Sequence, residues 1–228
     1  MIRRLFLGIF ATLALSPSLA SGQVCSGFAS FGQRPFQVFG AAGFNDNAKT
    51  FTGGFAFGGS GAFGQLGIGT TSFDEVDGSS FNFNGGAGYQ VPLGQKGIVY
   101  LCPTASVAFA SGPNDIDVFG DGSLVLDLNE TDLAFGLALG VIASRSGQTQ
   151  IIPAGSLSFV HATLKAKDQV SGASDSQSES FGMLALGLGF VFNQMFTLHP
   201  GVAIPFGVDG ASTTFGLSFS ANFGQRSQ

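Results

Sequence analysis

Charge is what this sequence has least of: among 228 residues only 9 are Lys or Arg and 14 are Asp or Glu. So few basic residues, with a net charge of −5, exclude a nucleic-acid-binding surface, which needs a basic footprint to neutralise phosphates. Trp is absent and Tyr is limited to Tyr89 and Tyr100. The two histidines, His161 and His199, are far apart, and no Cys-x-x-Cys pair exists, so the ligand spacing of a metal centre is missing and no cofactor motif replaces it. A hydrophobic content of 44% with so little charge is the opposite of a disordered composition. What fills the space is glycine, 36 residues, and phenylalanine, 26. The glycines keep no three-residue period, which excludes a collagen helix.

The first segment reads as a secretory signal. Arg3 and Arg4 precede an apolar run from Leu5 to Leu15, and Ser18-Leu19-Ala20 is a small-x-small cleavage site. The run is too short for a membrane-spanning helix and is followed by Ser16-Pro17. Removing residues 1–22 takes away Arg3 and Arg4 and leaves a more acidic mature chain. Cys25 and Cys102 remain, an even number in an exported protein, where they can pair as a disulfide or stay as two buried thiols.

Period-two alternation runs through the rest. Phe81, Phe83, Ala87, Tyr89 and Val91 oppose Asn82, Asn84, Gly86, Gly88 and Gln90. Phe215, Leu217, Phe219, Ala221 and Phe223 oppose Thr214, Gly216, Ser218, Ser220 and Asn222. Such alternation is a strand signal, and the glycine content makes helices unfavourable. It predicts about ten strands, near 36–44, 50–58, 62–73, 81–90, 98–110, 132–144, 150–164, 179–192, 195–206 and 213–223, with eight or twelve as alternatives. Long connections (45–49, 74–80, 111–131, 165–178, 207–212) alternate with short ones (59–61, 91–97, 145–149, 193–194), so the strands run up and down. All the acidic residues fall at the long-loop end, Glu130 within a loop and Asp132 and Glu179 where strands leave it. Arg34, Lys96, Arg145 and Arg226 fall at the other end, and the strand interiors hold essentially no charge.

A soluble sandwich or barrel solvates its outer face and carries charge along its strands. A bilayer forbids that, because mid-membrane charge is costly and the backbone must close its hydrogen bonds without edges. The expected fold is therefore all-β: a closed, antiparallel, up-and-down transmembrane β-barrel over residues 35–224. Residues 23–34 form an N-terminal segment at the short-turn end.

The last strand carries a motif of the form polar-x-Gly-x-x-hydrophobic-x-hydrophobic: Thr214, Gly216, Phe219 and Ala221, with Phe223 as the terminal aromatic. In this, and in its whole mature architecture, the sequence resembles the small outer-membrane β-barrel proteins of Gram-negative bacteria. The resemblance implies export through the periplasm, insertion by the outer-membrane assembly machinery and residence among outer-membrane lipids.

The inner face is expected to be small and neutral, with Asn82, Asn84, Gln90, Thr104, Ser106, Ser156, Ser158, Ser218, Ser220 and Asn222 on it and no ring of charge of the kind that selects ions. Cys102 shares that face near the short-turn end, so a bond to Cys25 would hold residues 23–34 inside or beneath the barrel as a partial plug. Neither histidine has a carboxylate at a strand-neighbour spacing, which argues against an enzyme. The acidic run Asp115 to Asp121 misses the spacing of an EF-hand and reads as a solvated loop. The leading expectation is a passive barrel, either a small-solute pore or a structural membrane element, with a neutral lumen and acidic extracellular loops. The alternative is an adhesion or ligand-binding barrel acting through loops 111–131 and 165–178, its ligand unspecified. A secreted soluble β-protein or a membrane enzyme comes behind these.

Overall fold

The structure, a computed structural model, describes residues 24–224 apart from 33, 60, 75–77, 95–96, 115, 118–124 and 147. The expected signal segment 1–22 lies outside the described residues, as do Glu75, Asp77, Lys96, Asp115, Asp121 and Arg226. The strands are β1 (Phe36–Phe44), β2 (Ala48–Gly58), β3 (Ala62–Phe73), β4 (Ser79–Tyr89), β5 (Val91–Leu93), β6 (Val99–Ser111), β7 (Ile116–Asp117), β8 (Val125–Val141), β9 (Ser144–Ser146), β10 (Thr149–Asp168), β11 (Ser174–Phe192), β12 (Phe196–Phe206) and β13 (Thr214–Phe223). Ten of them form a ring in which every neighbouring pair is antiparallel, and β1 pairs with both β2 and β13, so the ring closes on itself. The three short strands β5, β7 and β9 continue β4, β6 and β8 beyond a local break, pairing with β6, β8 and β10 respectively. Following the register once around the ring comes back about twelve residues along β1. For ten strands that implies a tilt near 40° and a backbone radius of about 10 Å.

Alternation explains which side chains point where. On β8 Leu133, Phe135, Leu137 and Leu139 are exposed while Ala138 is buried. On β13 Phe215, Leu217, Phe219 and Phe223 are exposed while Thr214, Ser218, Ser220 and Asn222 are buried. Phe135, Leu157, Phe159 and Phe215 are 61%, 56%, 56% and 65% exposed, and similar residues surround the ring. A continuous apolar belt of this extent has no counterpart on a soluble monomer, and lipid is the solvent that accepts it. Polar side chains such as Gln37, Asn82 and Ser218 lie inside the ring, beside buried apolar clusters.

The two ends of the ring differ. At the turn end three residues, Asn193 to Met195, join β11 to β12; Asn193 and Gln194 both have positive φ (54° and 51°), as the central pair of a type I′ turn requires, and the Met195 amide donates to the Phe192 carbonyl at 2.9 Å. At the loop end β8, β10 and β11 run on past the belt. β10 and β11 have 20 and 19 residues, about twice the 9–11 that cross a bilayer, and they form a standing ledge. Above Phe181 the β11 strand has β10 on one side only, because its pairing with β12 begins at Gly182. Hydroxyl and imidazole contacts, His161 Nδ1 to Ser180 Oγ and Thr163 Oγ1 to Ser178 Oγ, both 2.9 Å, run along it.

Two expectations need correction. The strands at the loop end begin earlier and end later than alternation alone suggests, so Glu130, expected in a loop, and Asp132, expected at a strand margin, both lie within β8. They share parity with Ala134, Gly136 and Ala138, so they point inward, and they are 3% and 7% exposed. The lumen is therefore not uniformly neutral, and the strand interiors are not free of charge. The cause is pairing beyond the belt: Glu130 and Asp132 stand opposite Leu164 and Ala162 of β10 and Ala110 and Ala108 of β6.

Candidate functional site

The interior of the ring is occupied by the chain's own N-terminal segment. Val24–Ser26 makes one 3-10 turn, and a disulfide joins Cys25 to Cys102 on β6, with the two Cα atoms 6.1 Å apart. The turn packs against β6, β8 and β10. Val24, Cys25, Phe28, Ala29 and Phe31 are all at most 1% exposed. Phe28 and Phe31 join Phe39, Phe63, Ala56, Ala138 and Cys102 in one apolar cluster, and Val24 and Ala29 join Ile142, Ile152 and Val191 in another. The main apolar core at the turn end of the lumen is thus built around this plug.

Inner-wall glycines make the room. A Cβ at Gly140 would overlap the Val24 carbonyl and the Cys25 backbone, one at Gly189 would overlap the Gly27 carbonyl, and one at Gly58 would run into the Phe31 ring. These close approaches give the glycines of β8, β11 and β2 a specific task, since any side chain there would displace the plug backbone. His199 of β12 is 2% exposed, its ring 5.1 Å from that of Phe28, and neither ring nitrogen has a hydrogen-bond partner.

Above the plug come two adjoining cavities of about 80 and 40 Å³, which share Gln65, Ser106, Ala134 and Ser158 in their walls. The larger touches Cys25, Ser26 and His199 below, and the smaller touches Asn84 and Asp132 above. A single water needs about 10–15 Å³ by this measure, so the pair has room for several waters. At the loop end a third apolar cluster of Leu128, Val160, Ala162, Leu164 and Phe181 lines the wall. Where the barrel closes, Gln37 of β1 donates from Nε2 to Ser220 Oγ at 2.9 Å and to Asn222 Oδ1 at 3.0 Å, a buried polar seam between the first and last strands.

Of the residues singled out from sequence, Asn82, Asn84, Ser218, Ser220 and Asn222 are buried within the ring. Thr104 and Ser106 line the larger cavity together with Ser156 and Ser158, and Gln90 is half-buried between β4 and β5. Thr214, Gly216, Phe219, Ala221 and Phe223 all lie on β13, with Phe219 and Phe223 on the apolar exterior. Sequence reading overlooked Gln37, Gln65, Glu130 and Asp132. Glu130 and Asp132 were within reach of it, since they continue the inner parity of Ala134, Gly136 and Ala138 without a break.

No family model matches the chain, and no curated protein sequence matches it. Solved structures do. The translocator domain of the autotransporter NalP from Neisseria meningitidis aligns with a TM-score of 0.55 at 18% identity, covering 87% of this chain and 90% of that one. The beta domain of the Bordetella autotransporter BrkA aligns with a TM-score of 0.50 at 12% identity, covering 84% of this chain and all of that one. At these identities the likeness is one of fold. A closed antiparallel ring with an apolar exterior and a polar interior is the fold of Gram-negative outer-membrane barrels, and the outer membrane is where a chain so built resides.

Proposed function

We propose that this chain is a closed outer-membrane barrel, a structural element of the membrane wall whose lumen is stoppered by its own N-terminal segment, and not an open small-solute pore. The observation that carries this reading is the Cys25–Cys102 bond, which ties a fully buried plug to the inside of the ring. In this reading residues 1–22 are the cleaved signal, 23–34 the plug at the periplasmic end and 35–224 the barrel, with the acidic loops outside the cell. Insertion by the assembly machinery runs through β13, where Thr214 and Gly216 face the lumen and Phe219, Ala221 and Phe223 face the exterior. A non-enzymatic role is supported by the surroundings of the histidines: His161 meets only a serine hydroxyl, and His199 is sealed under Phe28. Proteoliposomes of the oxidised full chain should show no uptake of small sugars, and a variant lacking residues 24–32 should show it. Discrete conductance steps from the oxidised full chain would restore the pore reading.

A second reading has its own support in the ledge formed by β10 and β11 at the loop end, a rigid polar surface held above the belt. An adhesive or ligand-binding role would act there. Replacing Lys165–Ser178 by a short turn should then abolish attachment of cells displaying the chain and leave the heat-modifiable gel migration of the barrel unchanged.

A further inference from the structure

Two carboxylates inside a narrow barrel need compensation, and among the described residues no basic side chain supplies it. Both carboxylate oxygens of Glu130, and Oδ1 of Asp132, are buried without a hydrogen-bond donor from any other residue. The two groups are close enough to interact with each other. Facing them on the inner wall are Asn82 and Asn84 of β4, Ala108 and Ala110 of β6, Ala162 and Leu164 of β10 and, one strand further, Glu179 of β11. The lysines of β10, Lys165 and Lys167, have the opposite parity and are exposed. Leaving a buried charge uncompensated is strongly destabilising, so the pair must be neutralised by protons, one on each carboxyl or one shared, or must hold a cation.

The cavity beneath the pair distinguishes these options. Asp132 forms part of its wall, with Glu130 one inward position above it, and among apolar neighbours such as Val160 and Met183 the wall offers four neutral oxygen donors: the amides of Asn84 and Gln65 and the hydroxyls of Ser106 and Ser158. Protonated carboxyls, whether one or both carry the proton, call for no such chamber, whereas a calcium ion takes six to eight oxygens from carboxylates, amides, hydroxyls and water in flexible geometry. The volume of about 40 Å³ accommodates one ion with one or two waters. Two negative charges balance one divalent cation. We propose that Glu130 and Asp132 form a lumenal calcium-class cation site, with Asn84, Gln65, Ser106 and Ser158 supplying neutral ligands directly or through water. The site stands on the barrel fold and the register of β8, and does not depend on whether the plug ever leaves.

The test uses the oxidised full chain refolded in detergent and stripped of divalent ions, with Ca²⁺ alone as the titrant in calorimetry and equilibrium dialysis. One Ca²⁺ per chain should bind, and the midpoint of heat-modifiable gel migration should rise with it. Asp132→Asn and Glu130→Gln should each weaken binding at least tenfold, and Asn84→Ala several-fold, with Asp175→Asn on the exposed ledge as the unaffected control. Absence of stoichiometric binding up to millimolar Ca²⁺ would overturn the proposal. So would wild-type affinity in both carboxylate variants, which would assign any bound ion to the loop acids. A protonated-carboxyl infrared band that persists in saturating Ca²⁺ and disappears in Asp132→Asn would also overturn it, in favour of protonation.

Discussion

Removing the Cys25–Cys102 bond by the double change Cys25→Ser, Cys102→Ser has two separable costs. For the whole chain the bond closes a loop of 77 residues, so the unfolded ensemble should gain entropy worth about 4–5 kcal/mol. Once the barrel is folded, the plug is already anchored through Pro35 to β1, and the relevant loop is only the stretch from Cys25 to Phe36. Its closure is worth about 3 kcal/mol. Against release stands the burial of Val24, Phe28 and Phe31, at about 1.5–3 kcal/mol each, or about 5–9 kcal/mol together. In favour of release stands the backbone entropy of the ordered segment, which at about 1 kcal/mol per residue already reaches about 9 kcal/mol for residues 24–32. Packing and ordering nearly cancel, so the bond decides whether the plug stays. The double variant, or the wild type under reductant, should therefore open in planar bilayers with discrete steps that the oxidised chain lacks, and residues 24–34 should become cleavable by protease. A double variant that stays electrically silent and protease-resistant would refute this accounting and mean that packing alone holds the plug.

Gly140→Ala should exclude the plug even with both cysteines present, because the new methyl overlaps the Val24 carbonyl; free-thiol titration of protein folded under oxidising conditions should find two reactive thiols in place of none. Gln37→Ala removes both donors of the seam between β1 and β13 and leaves Ser220 and Asn222 without them in a buried place, a loss of about 1–3 kcal/mol that urea unfolding followed by gel migration would measure. Leu137→Lys, at the middle of the apolar belt, should cost about 2–4 kcal/mol in lipid, while a lysine at the already exposed Asn129 above the belt should cost far less, read from the same unfolding curves in vesicles. Asp168 accepts hydrogen bonds from the Ser171 hydroxyl and the Val170 and Ser171 amides, which hold its carboxyl below the usual value of 3.8. The stability it lends the turn after β10 is fully present above that usual value and is lost as the pH falls through the lower folded one, so amide exchange at residues 170–173 should accelerate only below about pH 4.

The parts of the structure that were legible in the sequence are those where one face meets lipid. Along 214–223 every second residue, and along 81–89 every second residue but Gly85, is apolar because it touches hydrocarbon, and strand, parity and inside-outside sense could all be read from it. Beyond the belt that constraint ends. Ser174 to Glu179 is polar at every position, since both faces of the ledge are wet, and only pairing with β10 makes it a strand. The same loss of contrast placed Glu130 outside the strand to which it belongs. The plug was legible only as far as its cysteine: the parity of Cys102 put a thiol on the inner wall, but nothing local in Phe28 or Phe31 marks them as core residues, since they belong to no alternating strand.

The abundance of glycine and phenylalanine has two distinct causes here, and they separate by level in the barrel. Phenylalanines such as Phe135, Phe159 and Phe215 are set by lipid and could be exchanged among apolar residues at small cost, because the hydrocarbon around them has no fixed shape. Phe28 and Phe31 are set by the wall, fitted against His199 and Gly58, where size matters to a fraction of an ångström. Glycines divide likewise: some on loops, such as Gly172 and Gly207, meet nothing, while Gly140 and Gly189 admit the plug backbone itself. A barrel evolved as an open channel would have no reason to recess its wall where an N-terminal segment lies. Matching recesses on β2, β8 and β11, on three sides of one disulfide-tethered segment, therefore argue that the closed lumen is the form for which this wall is shaped, and that an opening, where it occurs, is the departure.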